Sequence, residues 1–216
     1  VLAGKQYYIR ETKAPDGYKL DTAVRRLETA DSLTATKWTN VTDEPDEPEN
    51  GKVTLVKSSA DTSVTDGNSN YSLAGAVYTV TDSAGKSVGT LTTKADGSSN
   101  TLTLPLGTYT VKETSASKGF KLDTAGHTVK ITADKTETVK SLEEPETGKV
   151  TLVKSSADTS VSDGNSNYSL AGAVYTVTDS AGKSVGTLTT KADGSSNTLT
   201  LPLGTYTVKE TSASKG

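Results

Sequence analysis

Two ionisable side chains stand where apolar ones are expected. In Val53-Thr54-Leu55-Val56-Lys57 a period of two puts Lys57 on the face of Val53 and Leu55. In Tyr109-Thr110-Val111-Lys112-Glu113 it puts Glu113 on the face of Tyr109 and Val111. If these faces line a core, an amine and a carboxyl both leave water, which is costly unless they are paired or neutralised. Alternatively, both strands end there and the two side chains sit wet at the rim; alternation leaves both readings open. The same two residue types recur downstream as Lys154 and Glu210.

Other chemistry is sparse. His127 is the one histidine, with no second for a metal pair, and the absence of Cys excludes disulfides and thiolate metal sites. Asp66-Gly67-Asn68-Ser69-Asn70 clusters oxygen atoms, but Tyr71 stands where a calcium loop of the EF-hand type needs glycine, so it reads as a polar hairpin loop. Trp38 is the sole tryptophan and reads as core or rim packing rather than a sugar-stacking platform. No glycosidase carboxylate pair, phosphate loop or Ser-His-Asp set is visible, so an enzyme is not expected, nor any metal or cofactor. A net charge of −3 gives no basic footprint for nucleic acid, and no apolar run is long enough to span a membrane.

The elements that would position Lys57 and Glu113 follow from a repeat. Residues 51–119 and 148–216 are the same sequence except for Thr65 against Ser162, so that Gly51 recurs 97 residues later as Gly148. Residues 1–49 match the end of the unit more distantly: Tyr7-Tyr8-Ile9-Arg10-Glu11-Thr12 aligns with Tyr109-Thr110-Val111-Lys112-Glu113-Thr114. The expected organisation is the C-terminal half of a divergent unit with an acidic linker (1–49), a complete repeat (50–147) and the N-terminal part of a third (148–216). The lack of Met fits an internal piece of a longer chain. Thr-rich, β-branched runs such as Val77-Tyr78-Thr79-Val80 alternate with turns at Ala84-Gly85, Asp96-Gly97 and Leu106-Gly107, which predicts tandem all-β, Ig-like antiparallel sandwiches. With hydrophobic residues at 32% and aromatics at 5%, their cores should be small. The joints, Asp43-Glu44-Pro45-Asp46-Glu47-Pro48-Glu49 and Glu143-Glu144-Pro145-Glu146, are acidic and proline-bearing, which favours short, stiff connections.

Longer motifs carry a resemblance. Tyr7-Tyr8-Ile9-Arg10-Glu11-Thr12-Lys13-Ala14-Pro15-Asp16-Gly17-Tyr18 resembles the E-box of Gram-positive pilins and adhesins. Gly51-Lys52-Val53-Thr54-Leu55-Val56-Lys57 and Leu73-Ala74-Gly75-Ala76-Val77-Tyr78 resemble the first two strands of the same domains. Together these look like the B-type repeat of the collagen adhesin Cna, also called SpaA-like or prealbumin-like, over essentially the whole chain. In the counterpart at 109–120, Ser117 replaces the E-box proline and Phe120 its tyrosine.

The resemblance implies an isopeptide bond, in which a first-strand lysine attacks an Asn or Asp on the last strand with the help of the E-box glutamate. The chemistry suits these residue types. Desolvation favours the neutral, nucleophilic amine, a buried glutamic acid can polarise the attacked carbonyl, and fixed proximity replaces an activated acyl group. By this likeness Lys57 and Lys154 are the amines, and Glu11, Glu113 and Glu210 the helpers. Aligning Pro45 with Pro145 puts the acceptors at Asp43, with Asn40 as competitor, and at Glu143. Glu143 carries one methylene more than the family's acceptor, so Lys57, Glu113 and Glu143 are expected to form a non-covalent cluster. The two incomplete ends are complementary and could pair, in the extreme case joining Lys154 to Asp43. The implied function is a stalk or spacer in an adhesin or pilus-like protein, extracellular and anchored to the Gram-positive cell wall. Its expected partners are neighbouring repeats, with host matrix or glycan engaged through another domain. The alternatives are a matrix- or glycan-binding module, or an accessory domain of a secreted glycan-active enzyme.

Overall fold

The computed structural model describes residues 6–27 and 45–216. Trp38, Asn40 and Asp43 lie outside them. The leading unit contributes one antiparallel pair, β1 (Tyr7–Arg10) with β2 (Val24–Leu27).

The middle repeat forms two sheets. One has the order β6-β3-β9, from β3 (Asn50–Ser59), β6 (Leu102–Pro105) and β9 (Thr136–Glu143). The other has the order β5-β4-β7-β8, from β4 (Val77–Thr81), β5 (Ser87–Thr92), β7 (Gly107–Ser115) and β8 (Gly126–Ile131). Both contribute to one core: Val53, Leu55, Leu104 and Val139 from the first pack with Tyr78, Val80, Leu91, Val111, Val129 and Ile131 from the second. The strict alternation of β3, buried at Val53, Leu55 and Lys57, is what a strand with one face on a core requires. The single turn α1 (Thr62–Thr65) is capped by Asp61, whose carboxylate accepts from Ser63 N–H.

One pairing departs from the antiparallel expectation. β3 and β9, the first and last strands of the repeat, run parallel, from Lys52 opposite Thr136 to Ser59 opposite Glu143. Parallel neighbours cannot be joined by a hairpin, so this pair closes the sandwich only after the rest of the chain has run between them.

The third repeat has the same pairings: β10 (Thr147–Val150) with β13 (Leu199–Pro202), and β11 (Val174–Thr178) between β12 (Ser184–Thr189) and β14 (Thr207–Ser212). A second single turn, α2 (Thr159–Ser162), precedes β11. β3 and β10 are nearly identical in sequence, yet β3 has 10 residues and β10 has 4. Among the described residues β10 has no parallel partner corresponding to β9, so tertiary pairing rather than propensity sets strand length.

Candidate functional site

Lys57 emerges from β3 into the sandwich with its side chain 0% exposed. Its backbone is held by Gly97, whose carbonyl accepts from Lys57 N–H at 2.8 Å. Gly97 has φ +80°, and a Cβ there would collide with the Lys57 carbonyl, so that close approach needs glycine. The ammonium nitrogen lies 3.0 Å from Glu113 Oε1 and 3.2 Å from Glu143 Oε2, and both carboxylates are as buried as the amine. The rim alternative therefore does not hold: both ionisable groups point inward, as the period of two requires.

Each carboxylate is also held by neighbours. Glu113 Oε2 accepts the backbone N–H of Asp123 at 2.7 Å, which ties the loop after β7 back to the strand. Glu143 Oε1 accepts from the Tyr78 hydroxyl at 3.0 Å and from Ser141 Oγ. Tyr78 lies directly across the ladder from Glu113, and Lys57 directly across from Ser141. Lys57 Nζ also donates to the Tyr78 hydroxyl at 3.4 Å and sits 5.4 Å from the Phe120 ring centre. Burial first, and the nearby carboxylates of Glu143 and Glu113 after it, push the Tyr78 phenol far above its ordinary 10.0. Alternation points to Lys57, Glu113 and Glu143; it does not point to Tyr78, Ser141 or Phe120, which are reached only through pairing across strands.

The third repeat holds the same pair in a more open setting. Lys154 Nζ lies 3.1 Å from Glu210 Oε1, with side chains 22% and 36% exposed. The bond to Glu210, and then that to Tyr175, raises the Lys154 amine above its usual value.

In the leading unit Glu11 Oε2 accepts the N–H of Asp21 at 2.7 Å, the same bond as Glu113 to Asp123. The acceptor register there needs correcting. Lys19 N–H donates to Glu47 O and Glu49 N–H to Gly17 O, with Tyr18 bridged to Pro48. In the middle repeat Lys121 N–H donates to Glu144 O and Glu146 N–H to Gly119 O, with Phe120 bridged to Pro145. Pro48, not Pro45, is thus the counterpart of Pro145, and half-buried Asp46 takes the place of Glu143. Asp43 falls three residues short of that position.

The remaining singled-out residues are accounted for in other ways. His127 Nε2 lies 3.3 Å from Asp123 Oδ2 at the surface, and the described residues contain no cluster of side chains that could hold a metal ion. No helix among them is long and apolar enough to cross a membrane.

Comparison with known proteins agrees with this architecture. The model of the SpaA prealbumin-like fold domain matches residues 58–145 and 155–216. The chain belongs to that family. Among solved structures it is similar to the Bacillus anthracis TIE protein, with 28% identity and a TM-score of 0.66 over 97% of this chain. It spans 36% of that protein's length. A streptococcal ancillary pilin matches at 22% identity and a TM-score of 0.38, covering 97% of this chain and 66% of the pilin. GBS52, a minor pilin of Streptococcus agalactiae, matches at 20% identity and 0.37, covering 67% and 62%. No curated protein matches the chain.

Proposed function

We propose that the chain is a run of structural spacer modules (residues 1–49, 50–147 and 148–216) from an extracellular, cell-wall-displayed adhesin or pilus-like protein of a Gram-positive organism. The observation that carries this is the Lys57–Glu113–Glu143 cluster, wholly buried and tying β3 and β9 to each other and to β7 in a chain without cysteine. A sandwich with so small an apolar core gains a bridge between its first and last strands. Polypeptide enters the repeat along β3 and leaves along its parallel neighbour β9.

In the middle repeat the bridge is an ion-paired cluster, because the added methylene of Glu143 places its carboxyl oxygen, hydrogen-bonded by Tyr78 and Ser141, against the amine. In the leading unit Asp46 takes the acceptor position, with Glu11 assisting. Intact-mass measurement of residues 1–216 tests the cluster. The expected mass is the plain sum of the residues. Condensation would form an N–Cδ bond, break Cδ–O and release water. A deficit of one water that Lys57→Ala abolishes would replace the ion pair by an amide. Saturable binding of the immobilised chain to matrix proteins or a glycan array would overturn the spacer reading, which expects only background.

A further inference from the structure

The loop Asn68–Tyr71 is not used by the buried cluster, yet its side chains bond to the following repeat. Tyr71 is buried, and its ring meets Phe120 edge-on at 5.8 Å, the same Phe120 that covers Lys57. The Tyr71 hydroxyl donates to Glu146 O at 2.6 Å, at the end of its own repeat. It also accepts from Leu203 N–H at 2.8 Å, in the next repeat. Asn68 Nδ2 donates to Leu203 O at 3.0 Å, and Asn70 Nδ2 reaches the same carbonyl at 3.2 Å. Both backbone groups of Leu203 are thereby taken by one loop of the preceding repeat.

We propose that this loop is a docking clamp for the Pro202-Leu203-Gly204 corner of the following repeat, so that successive repeats join head to tail at a fixed angle. The clamp is built in advance. Asn68 Oδ1 accepts from Asn70 N–H at 3.1 Å, and the third repeat forms the same turn, Asn165 Oδ1 accepting from Asn167 N–H at 3.1 Å. In that copy Asn165 Nδ2 turns to Val161 O in α2 of its own repeat at 3.4 Å, the donor that Asn68 gives to the neighbour. The corner is also built in advance: Tyr206 donates to Pro202 O at 2.8 Å, as Tyr109 does to Pro105 O at 3.0 Å. Recognition runs mainly through the backbone of the corner, so the partner it fits is any copy of this repeat. The connection adds no slack. Glu146 is pinned by Gly119 and Tyr71, and the next residue, Thr147, already pairs with Pro202 in β10.

Because the clamp and the corner occur in every copy of residues 51–119, a longer array would repeat one rotation at each junction and form a straight or regularly wound rod. The test uses the full chain, which has no cysteine of its own. Spin labels on cysteines placed at exposed Ser83 and Ser180 report the distance between repeats. The expected result is a narrow distribution in the parent chain. Asn68→Asp keeps the turn but loses the donor, and Tyr71→Phe loses the hydroxyl. Both should broaden the distribution, since each lost hydrogen bond raises the undocked population about fivefold. Asn165→Asp should leave it narrow. A broad parent distribution, unchanged widths in both clamp variants, or equal broadening by Asn165→Asp would each overturn the proposal.

Discussion

The Tyr78 hydroxyl crosses the core from β4 to lie 3.0 Å from Glu143 Oε1, so the two sheets meet through a phenol and a carboxylate as well as through apolar packing. With Lys57 donating to the same hydroxyl, the amine, the phenol and the Glu143 carboxylate form a closed circuit of polar contacts, with Ser141 and Glu113 as supports. In a low-dielectric interior such a circuit is stabilising only while every member is satisfied.

Lys57→Met should therefore be costly. It leaves two buried carboxyls without their cation, a loss of about 3–5 kcal/mol for a broken buried pair. Lys154→Met, at the exposed copy of the pair, should cost about 1 kcal/mol or less. Native-state hydrogen exchange of the core strands in each repeat measures both.

Ser117→Pro should stabilise the middle repeat. Ser117 Oγ is buried without a hydrogen-bond partner among the described residues. The leading unit has Pro15 at the same place, with Tyr18 N–H donating to Pro15 O at 3.1 Å as Phe120 N–H donates to Ser117 O. Removing an unsatisfied hydroxyl and restricting the unfolded chain should together give about 1 kcal/mol. Urea unfolding of the two chains checks it, and a lower midpoint would count against the equivalence of the two turns.

Alkaline pH should weaken the middle repeat through Tyr78. The folded phenol is raised above its ordinary 10.0, chiefly by burial, so this contribution is fully present below pH 10. It is lost as pH rises above that value, because the unfolded chain gives up a proton that the folded one retains. The slope for one proton is about 1.4 kcal/mol per pH unit. Tyr78→Phe should lower stability near neutrality and flatten the decline above pH 10, measured as unfolding free energy against pH.

Pulling the chain by its ends separates an ion pair from a covalent link. With Lys57 and Glu143 held non-covalently, residues 50–147 should release roughly 300–350 Å on unfolding. If they were bonded, the segment between them would stay closed and only a short extension would appear.

Period-two alternation made the inward faces of β3 and β7 legible, and with them Lys57 and Glu113, because a core on one side leaves a strand no other choice. Glu143 followed from sharing a face with Val139. The leading linker misled because it carries two prolines three residues apart, and motif alignment alone does not choose between them. The backbone bonds of Lys19 and Glu49 chose Pro48, and so would the 97-residue spacing back from Pro145. The joint was not legible: Asn68 and Asn70 read as an ordinary polar loop, since their partner is a backbone carbonyl more than a hundred residues away, which no local pattern encodes.

The parallel run of β3 and β9 has a mechanical consequence. Tension along the chain draws β3 by its Asn50 end and β9 by its Glu143 end, in opposite directions along one shared ladder. Every rung from Lys52–Thr136 to Ser59–Glu143 is then sheared at once, whereas a terminal hairpin would unzip rung by rung. The strand pair that closes the sandwich is thus also the one oriented to resist stretching, before any contribution from the charges near its Ser59–Glu143 end.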